Sequence, residues 1–198
     1  MLIMAFMVSC MGTTDTPERG VSRELAKKRK ALLKNIQYQL DFDIPASSSE
    51  PVEGKATIAF DLAKKVNQLA LDFDVPHNHL QQVRISDEPI SYDFTDEHIL
   101  INGEVLQTGG NAIEIDFIAG NMSLNRNDDY LYSLFVPDRA STAFPCFDQP
   151  DLKASFQLDL KIPKKWRAIT NGALQRRKDT AHHSLLSFAS TKPLGTYL

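Results

Sequence analysis

The chain is dominated by short runs in which apolar and polar residues alternate, the pattern of a strand with one buried face. The two clearest runs are Ile36–Ile44 and Ala154–Ile162, in which every second residue is apolar. Further alternating runs predict strands at Val52–Leu62, Leu69–Val75, Val83–Ile85, Ile90–Phe94, Ile99–Ile101, Ile113–Phe117, Tyr130–Val136, Trp166–Thr170 and Ser184–Ala189. Many short strands separated by turns favour an all-β, antiparallel sandwich or open barrel over a parallel βαβ sheet.

A single short helix is predicted before the strands, over Val21–Leu33. Ser22 followed by Glu24 resembles a helix start, and three leucines share one face. The basic run Lys27–Lys30 within it is interpreted as a solvated helix face. We therefore divide the chain into a helical lead-in at 21–34 and one β domain at 35–198. Within that domain Asn102–Gly103 predicts a tight turn, since both residues tolerate positive φ.

The first residues form a candidate export signal. Met1–Met11 is an apolar run of signal-peptide length, and the Ser9-Cys10 pair that ends it resembles a bacterial lipoprotein cleavage site, at which Cys10 becomes the lipidated first residue. No Lys or Arg precedes the run, which departs from that pattern, and the alternative is a frayed hydrophobic terminus without function. The prediction is a leader and tether over residues 1–20, with the protein exported to the periplasm or anchored in a cell-envelope membrane as a lipoprotein.

The net charge and the spacing of potential metal-ligating and catalytic residues argue against nucleic-acid binding, metal binding and catalysis by this chain. The formal net charge of −3 gives no electrostatic reason to expect a nucleic-acid partner. His77 and His79 lack a carboxylate or cysteine that completes a metal site, and His182-His183 is interpreted in the same way, as surface loop residues. The sequence contains neither HExxH nor Gly-x-Ser-x-Gly. We expect no metal site and no catalytic residue in this chain.

One segment, Arg139–Phe156, is more constrained than an ordinary loop. It reads RASTAFPCFDQPDLKASF and holds two prolines that fix the backbone. Aspartates between them are suited to bond nearby backbone N–H groups, and phenylalanines are suited to pin the loop to a core. The thiol of Cys146, flanked by aromatic residues, suits a buried and unreactive position. The pattern predicts a rigid connection that leads into the long strand after it.

This segment resembles a motif in the N-terminal domain of the gluzincin zinc aminopeptidases, the family of aminopeptidase N and leukotriene hydrolase. The residues that carry the resemblance are Phe144, Pro145, Cys146, Phe147, Asp148, Pro150 and Lys153. Weaker matches follow at Ile162–Gly172 and at Phe188–Leu198. The resemblance implies a saddle-like β domain that packs on a thermolysin-like catalytic domain of the same polypeptide. That catalytic domain holds the zinc and acts on peptides; here the β domain stops before it, with Tyr197 and Leu198 inside its last strand.

A departure from the family concerns the rim of the substrate pocket. The family places two polar residues shortly before the motif, where they bind the amino terminus of the substrate, and counting back reaches Leu134 and Val136 instead. Neither side chain accepts a hydrogen bond from an ammonium group. Either Asp138 takes over this role in a shifted register, or the pocket rim is apolar. The alternative to a peptidase domain is a degenerate or stand-alone β-sandwich that serves as a binding or scaffold module at the cell surface.

Overall fold

The computed structural model describes residues 17–197, and helix α1, Arg23–Leu32, precedes all of its strands. Ser22 caps the helix, because its hydroxyl accepts a hydrogen bond from the backbone N–H of Leu25 at 3.1 Å. Glu24 lies in the first turn and Arg29 and Lys30 in the last, where their charges complement the helix dipole. The predicted helix is confirmed, and the chain enters the first strand directly after it.

The described residues contain three sheets. Their strands are β1 Leu33–Asp43, β2 Glu53–Leu62, β3 Gln68–Asp72, β4 Leu80–Ile85, β5 Glu88–Pro89, β6 Tyr92–Thr95, β7 His98–Asn102, β8 Gly109–Ile118, β9 Leu124–Arg126, β10 Leu131–Ser133, β11 Ser155–Pro163, β12 Leu174–Asp179 and β13 His183–Phe188. The large sheet has the order β12-β13-β11-β1-β2-β8-β4-β5, the second sheet has the order β3-β7-β6, and β9 pairs with β10 alone. The predicted all-β class is confirmed.

One pair of strands departs from the antiparallel prediction. β1 and β11 run parallel, with Tyr38 opposite Phe156 and Leu40 opposite Leu158, whereas the other paired strands are antiparallel. A parallel neighbour requires a long crossover, and here the crossover contains the whole second sheet and the motif segment. Alternation along a strand does not show in which direction its neighbour runs, so the sequence pattern left this pairing open.

The core lies between the large sheet and the three-stranded sheet. Alternate residues of β1, β2 and β8 point into it, and Tyr38, Ile58 and Ile113 stand in register across the three strands. Phe73, which follows β3, meets Phe117 of β8 edge to face, with ring centroids 5.5 Å apart. The two sheets thus form a sandwich around a continuous apolar cluster.

The strands differ from the prediction at several places in the chain. Residues 166–170 form no strand, and Ile169 in this loop is 98% exposed. Strand β12 was not predicted, because it lies at a sheet edge with both faces exposed and so carries no alternation. Tyr197, expected in a last strand, lies in a turn.

The Asn102–Gly103 pair is also different from its prediction. Gly103 does not adopt positive φ; Asn102 instead caps a 3₁₀ turn, Gly103–Val105, and its side chain accepts a hydrogen bond from Glu104 N–H at 2.9 Å. The glycine is required by close packing, since a Cβ at this position would lie 1.7 Å from the carbonyl oxygen of Val66.

The predicted leader, with its lipidation site at Cys10, lies outside the described residues. Between Pro17 and Tyr197 no helix has the length and apolar character needed to cross a bilayer. The boundary predicted at residue 35 falls just inside β1, which begins at Leu33.

Candidate functional site

The motif segment is anchored by its two aromatic residues, Phe144 and Phe147, which are both buried. The ring of Phe147 meets Phe60 of β2 edge to face at 5.9 Å, and Phe144 meets Tyr38 of β1 at 6.3 Å. The Tyr38 hydroxyl accepts a hydrogen bond of 2.9 Å from the backbone N–H of Phe147. The loop is therefore attached to the large sheet by both packing and hydrogen bonding.

Cys146 joins the motif to the second sheet. Its backbone exchanges two hydrogen bonds with Asp72 of β3, at 2.7 and 3.0 Å, and so adds a short bridge at the edge of that sheet. The thiol is free and fully buried. Burial raises the pKa of the Cys146 thiol well above its ordinary value, and the negative charges of Asp148 and Asp72 raise it further. A neutral, inaccessible thiol is a packing group rather than a nucleophile.

Asp148 connects the motif to the C-terminal segment. One carboxylate oxygen accepts a hydrogen bond from Ser141 N–H at 2.9 Å, and the other accepts one from the Thr196 hydroxyl at 2.8 Å. Pro145 is buried beside it, whereas Pro150 and Lys153 are exposed. The buried half of the motif thus holds the loop closed, and the exposed half lies at the surface.

Asp72 is the centre of a buried ionic cluster that the sequence did not reveal. Arg29 of α1 binds both oxygens of this carboxylate, at 2.5 and 2.7 Å, and Asp148 N–H donates to it at 2.8 Å. Burial opposes ionisation of Asp72, but the charge and hydrogen bonds of Arg29 and the close contact with His98 hold the pKa of the carboxyl below its ordinary value. The guanidinium of Arg29 also lies 5.5 Å over the ring of Phe147.

The interpretation of Lys27–Lys30 as a solvated face is wrong for Arg29. Lys27, Lys28 and Lys30 are exposed, but Arg29 is 2% exposed and turns inward to Asp72. A charged residue inside the apolar strand Leu69–Phe73 was the available signal, since a buried carboxylate requires a partner. Nothing in the local pattern shows which of the four basic residues that partner is.

The candidate rim residues lie on an exposed ridge. Tyr130, Tyr132, Leu134 and Val136, which we call the apolar ridge, are each more than half exposed. The rings of Tyr130 and Tyr132 stack with centroids 6.1 Å apart. The sequence pattern predicted these four residues on the buried face of a strand over Tyr130–Val136; only Leu131–Ser133 is a strand, and the four face solvent.

Two of the three residues between the ridge members attach this segment to the core, whereas the third, Ser133, is exposed. Leu131 and Phe135 turn inward, and Phe135 meets Phe144 of the motif edge to face at 5.7 Å. The backbone N–H of Leu134 donates to Ser123 O at 2.9 Å. Asp138, the third candidate, is exposed just beyond the ridge. Leu134 and Val136 thus lie in the same exposed segment as the two tyrosines, and Phe135 attaches this segment to the motif.

The histidines are distributed over separate parts of the surface and core. His77 is exposed and contacts the ring of Phe94, and His79 Nδ1 lies 3.0 Å from Ile118 O. His182 and His183 meet only each other's rings among the aromatic contacts. In residues 17–197, no group of three or more His, Cys, Asp or Glu side chains is placed to hold a metal ion.

Comparison with known proteins identifies the family. A family model described as the Peptidase M1 N-terminal domain matches residues 34–198. The chain is similar to aminopeptidase N of Streptomyces lividans, with 29% identity over 196 residues, 92% of this chain and 22% of the relative. It is also similar to the probable aminopeptidase 1 of Sulfurisphaera tokodaii, with 25% identity over 128 residues, 60% of this chain and 16% of the relative. The chain therefore spans less than a quarter of the length of either relative.

Solved structures share the fold. An M1 zinc metallopeptidase from Deinococcus radiodurans superposes with a TM-score of 0.70 at 16% identity, over 84% of this chain and 41% of that one. Legionella pneumophila aminopeptidase A, in a complex with aspartic acid, gives 0.72 at 19% identity, over 83% of this chain and 20% of that one. The resemblance stated on the motif is thereby confirmed, and the chain belongs to the Peptidase M1 N-terminal domain family.

Proposed function

We propose that this chain is the non-catalytic N-terminal domain of a longer zinc aminopeptidase, which it buttresses by packing against the catalytic domain. The observation that carries the proposal is the apolar ridge, whose four side chains stand in water although they follow the alternation of a buried strand. Contiguous exposed apolar and aromatic groups are typical of a docking surface. The zinc and the catalytic groups belong to the part of the parent outside this chain.

The ridge is suited to docking because it is preorganised. Phe135 and Phe144 hold it on the core, and the motif beneath it is hydrogen-bonded on both sides. A surface that is ordered before binding loses less conformational entropy on association. The rigid motif therefore presents the ridge to the catalytic domain at a fixed position.

Docking is tested by producing residues 1–198 and the remainder of the parent polypeptide as separate chains. The change Leu134→Asp places a charge in the ridge, and we expect it to weaken association at least about tenfold, since an unpaired charge buried in an interface costs several kcal/mol. Association is measured by isothermal titration calorimetry. Ile169→Asp is the matched control, because Ile169 is 98% exposed and lies outside the ridge. Equal affinities for both variants would contradict docking through the ridge.

The same surface is proposed to form an apolar part of the substrate pocket rim. Leu134 and Val136 offer no acceptor to a substrate ammonium group, and Asp138 is the nearest of the candidates with a carboxylate. In the full-length parent, Val136→Glu should raise activity on peptides with free amino termini by about tenfold, since a charge-assisted hydrogen bond contributes roughly 1.5–3 kcal/mol.

The readout for Val136→Glu is kcat/KM on a peptide with a free amino terminus and on its N-acetylated form. Met122→Glu is the control, since Met122 is 65% exposed but outside the ridge. Unchanged selectivity in the Val136 variant would show that this residue does not face the substrate. If the parent hydrolyses neither peptide, the ridge is better explained as the docking surface of a cell-surface binding module.

The proposal includes export, with an anchor at Cys10. The apolar run Met1–Met11 and the Ser9-Cys10 pair support it. Mass spectrometry of the mature protein would then show an acylated Cys10 as its first residue; an unprocessed Met1 would overturn this part of the proposal.

A further inference from the structure

The residues before helix α1 form a short arm that is held by a buried histidine. The arm, Pro17–Gly20, passes beside the turn between β6 and β7, and His98 is the first residue of β7. The side chain of His98 is 1% exposed, and in the sheet register it stands opposite Asp72 of β3. Its ring therefore lies between the ionic cluster and the arm.

Both ring nitrogens of His98 face oxygen atoms that only accept hydrogen bonds. Nδ1 lies 2.9 Å from Asp72 Oδ1, an ion-pair contact rather than a well-aligned hydrogen bond. Nε2 lies 3.1 Å from the backbone carbonyl oxygens of both Glu18 and Gly20. A neutral imidazole carries a proton on only one nitrogen, so in either tautomer an unprotonated nitrogen would lie within 3.1 Å of an oxygen. Acceptor oxygens close to both nitrogens therefore favour the doubly protonated imidazolium, whose charge Asp72 compensates.

The charges around the ring come from several elements. Asp72 of β3 favours the imidazolium, whereas Arg29 of α1 opposes it across the same carboxylate. On the arm, Arg19 contacts Glu97 and lies 3.7 Å from Asp74. Among these charged groups, His98 is the one whose ordinary titration range lies near neutral pH.

We propose that His98 is a protonation-dependent latch that holds the arm Pro17–Gly20 on the domain and releases it when the ring loses a proton. When the ring loses one proton, either the Asp72 carboxylate or the carbonyls of Glu18 and Gly20 no longer face an N–H group. The latch is independent of the function proposed above, because it rests on contacts within this chain. The state of the latch determines whether helix α1 is preceded by an arm held on the domain or by a free one.

The direction of the pH dependence follows from the contacts. Burial lowers the pKa of His98, but the close contact with the negative charge of Asp72 and the carbonyl of Glu18 outweigh it, so that the pKa is raised. A raised pKa in the bound state means that the latch is strongest below the ordinary histidine pKa and weakens as pH rises through the bound-state value. We expect a bound arm in mildly acidic solution and a released arm in alkaline solution.

Limited proteolysis with trypsin tests the latch in the full chain. The bond after Arg19 is cleaved when the arm opens, and the bond after Arg167, in an exposed loop away from the arm, serves as the internal reference for the pH dependence of the protease. The ratio of the two cleavage rates should rise severalfold from pH 6 to pH 9, because the bound arm loses a donor when His98 loses its proton.

Two variants separate the latch from a merely weakened arm. His98→Gln keeps a donor for the carbonyls but does not titrate, so its ratio should not change with pH. Glu97→Gln removes the charge of one of the two acidic partners of Arg19, and its ratio should be higher at every pH with the same pH dependence as the wild type. A wild-type ratio that is independent of pH would overturn the proposal, as would the same pH dependence in His98→Gln.

If His98→Gln fails to fold, a second measurement, on the wild-type protein, tests the latch. Nitrogen-15 NMR of the wild-type imidazole reports the protonation of each ring nitrogen directly. We expect both nitrogens of His98 to be protonated at pH 7 and to titrate together with the release of the arm. A neutral ring at pH 7 would refute the latch.

Discussion

At the scale of single residues, Asp72 is where the buried polar contacts converge. It joins Arg29 of the helix, His98 of the neighbouring strand and three backbone groups of the motif, two at Cys146 and one at Asp148. A buried carboxylate is stable only while its partners remain, since removal of one member of a buried pair leaves an uncompensated charge. The side chain thus ties the motif to elements that are distant in sequence.

The change Asp72→Asn should therefore be strongly destabilising. It leaves the guanidinium of Arg29 and the ring of His98 buried without their counter-charge, and we expect the free energy of unfolding to fall by roughly 3–5 kcal/mol. Asp74→Asn is the matched control: Asp74 is partly exposed, and its ion pair with Arg19 at 3.7 Å should contribute roughly 1 kcal/mol or less. Urea unfolding monitored by circular dichroism gives both values, and similar losses in the two variants would contradict the central role of Asp72.

At the scale of elements, the connection after β7 shows how packing can determine the conformation of a turn. Asn-Gly is a common signal for a left-handed hairpin turn, yet here Asn102 has φ of −59° and caps a 3₁₀ turn. The glycine is present because the backbone of Val66 approaches it closely, and Gly103 N–H donates to Asn67 O at 2.8 Å. The same dipeptide therefore serves a contact between two loops rather than a hairpin.

Gly103→Ala should destabilise the domain although Gly103 does not adopt positive φ. The added methyl group would lie 1.7 Å from the Val66 carbonyl oxygen, so the loop must shift, and overpacking of this kind costs roughly 1–3 kcal/mol. Gly110→Ala is the control, because its nearest neighbour, Asp61 Oδ1, lies at 3.7 Å. Thermal unfolding is the measurement. A Gly103 variant as stable as the Gly110 variant would show that the loop adapts.

At the scale of the whole molecule, the fold is closed by contacts between parts that are far apart in the chain. The arm and α1, the strand pair β3–β7, the motif and the segment at Thr196 all meet on one side of the core. The parallel pairing of β1 with β11 brings the start of the domain beside the strand that follows the motif. The apolar ridge is joined to the motif through the contact between Phe135 and Phe144, and the motif holds it in position for the proposed docking.

The sequence by itself determined the strands whose inner face is covered by the core, because burial of one face requires apolar residues at every second position. It also determined the family, through the closely spaced prolines, aromatic residues and aspartates of Phe144–Phe156. For the same reason it could not find β12, which buries neither face. The alternation of apolar and polar residues was therefore sufficient to predict a strand where the core covers one of its faces.

Only the tertiary structure decided what each face meets. The alternation of Tyr130–Val136 is equally consistent with burial and with exposure, and the outward orientation follows from Leu131 and Phe135 occupying the core. Arg29 differs from its basic neighbours only by its position opposite Asp72, and His98 is buried because the arm covers it. Alternation specifies that a strand has two different faces, but the partner of each face comes from a distant part of the chain.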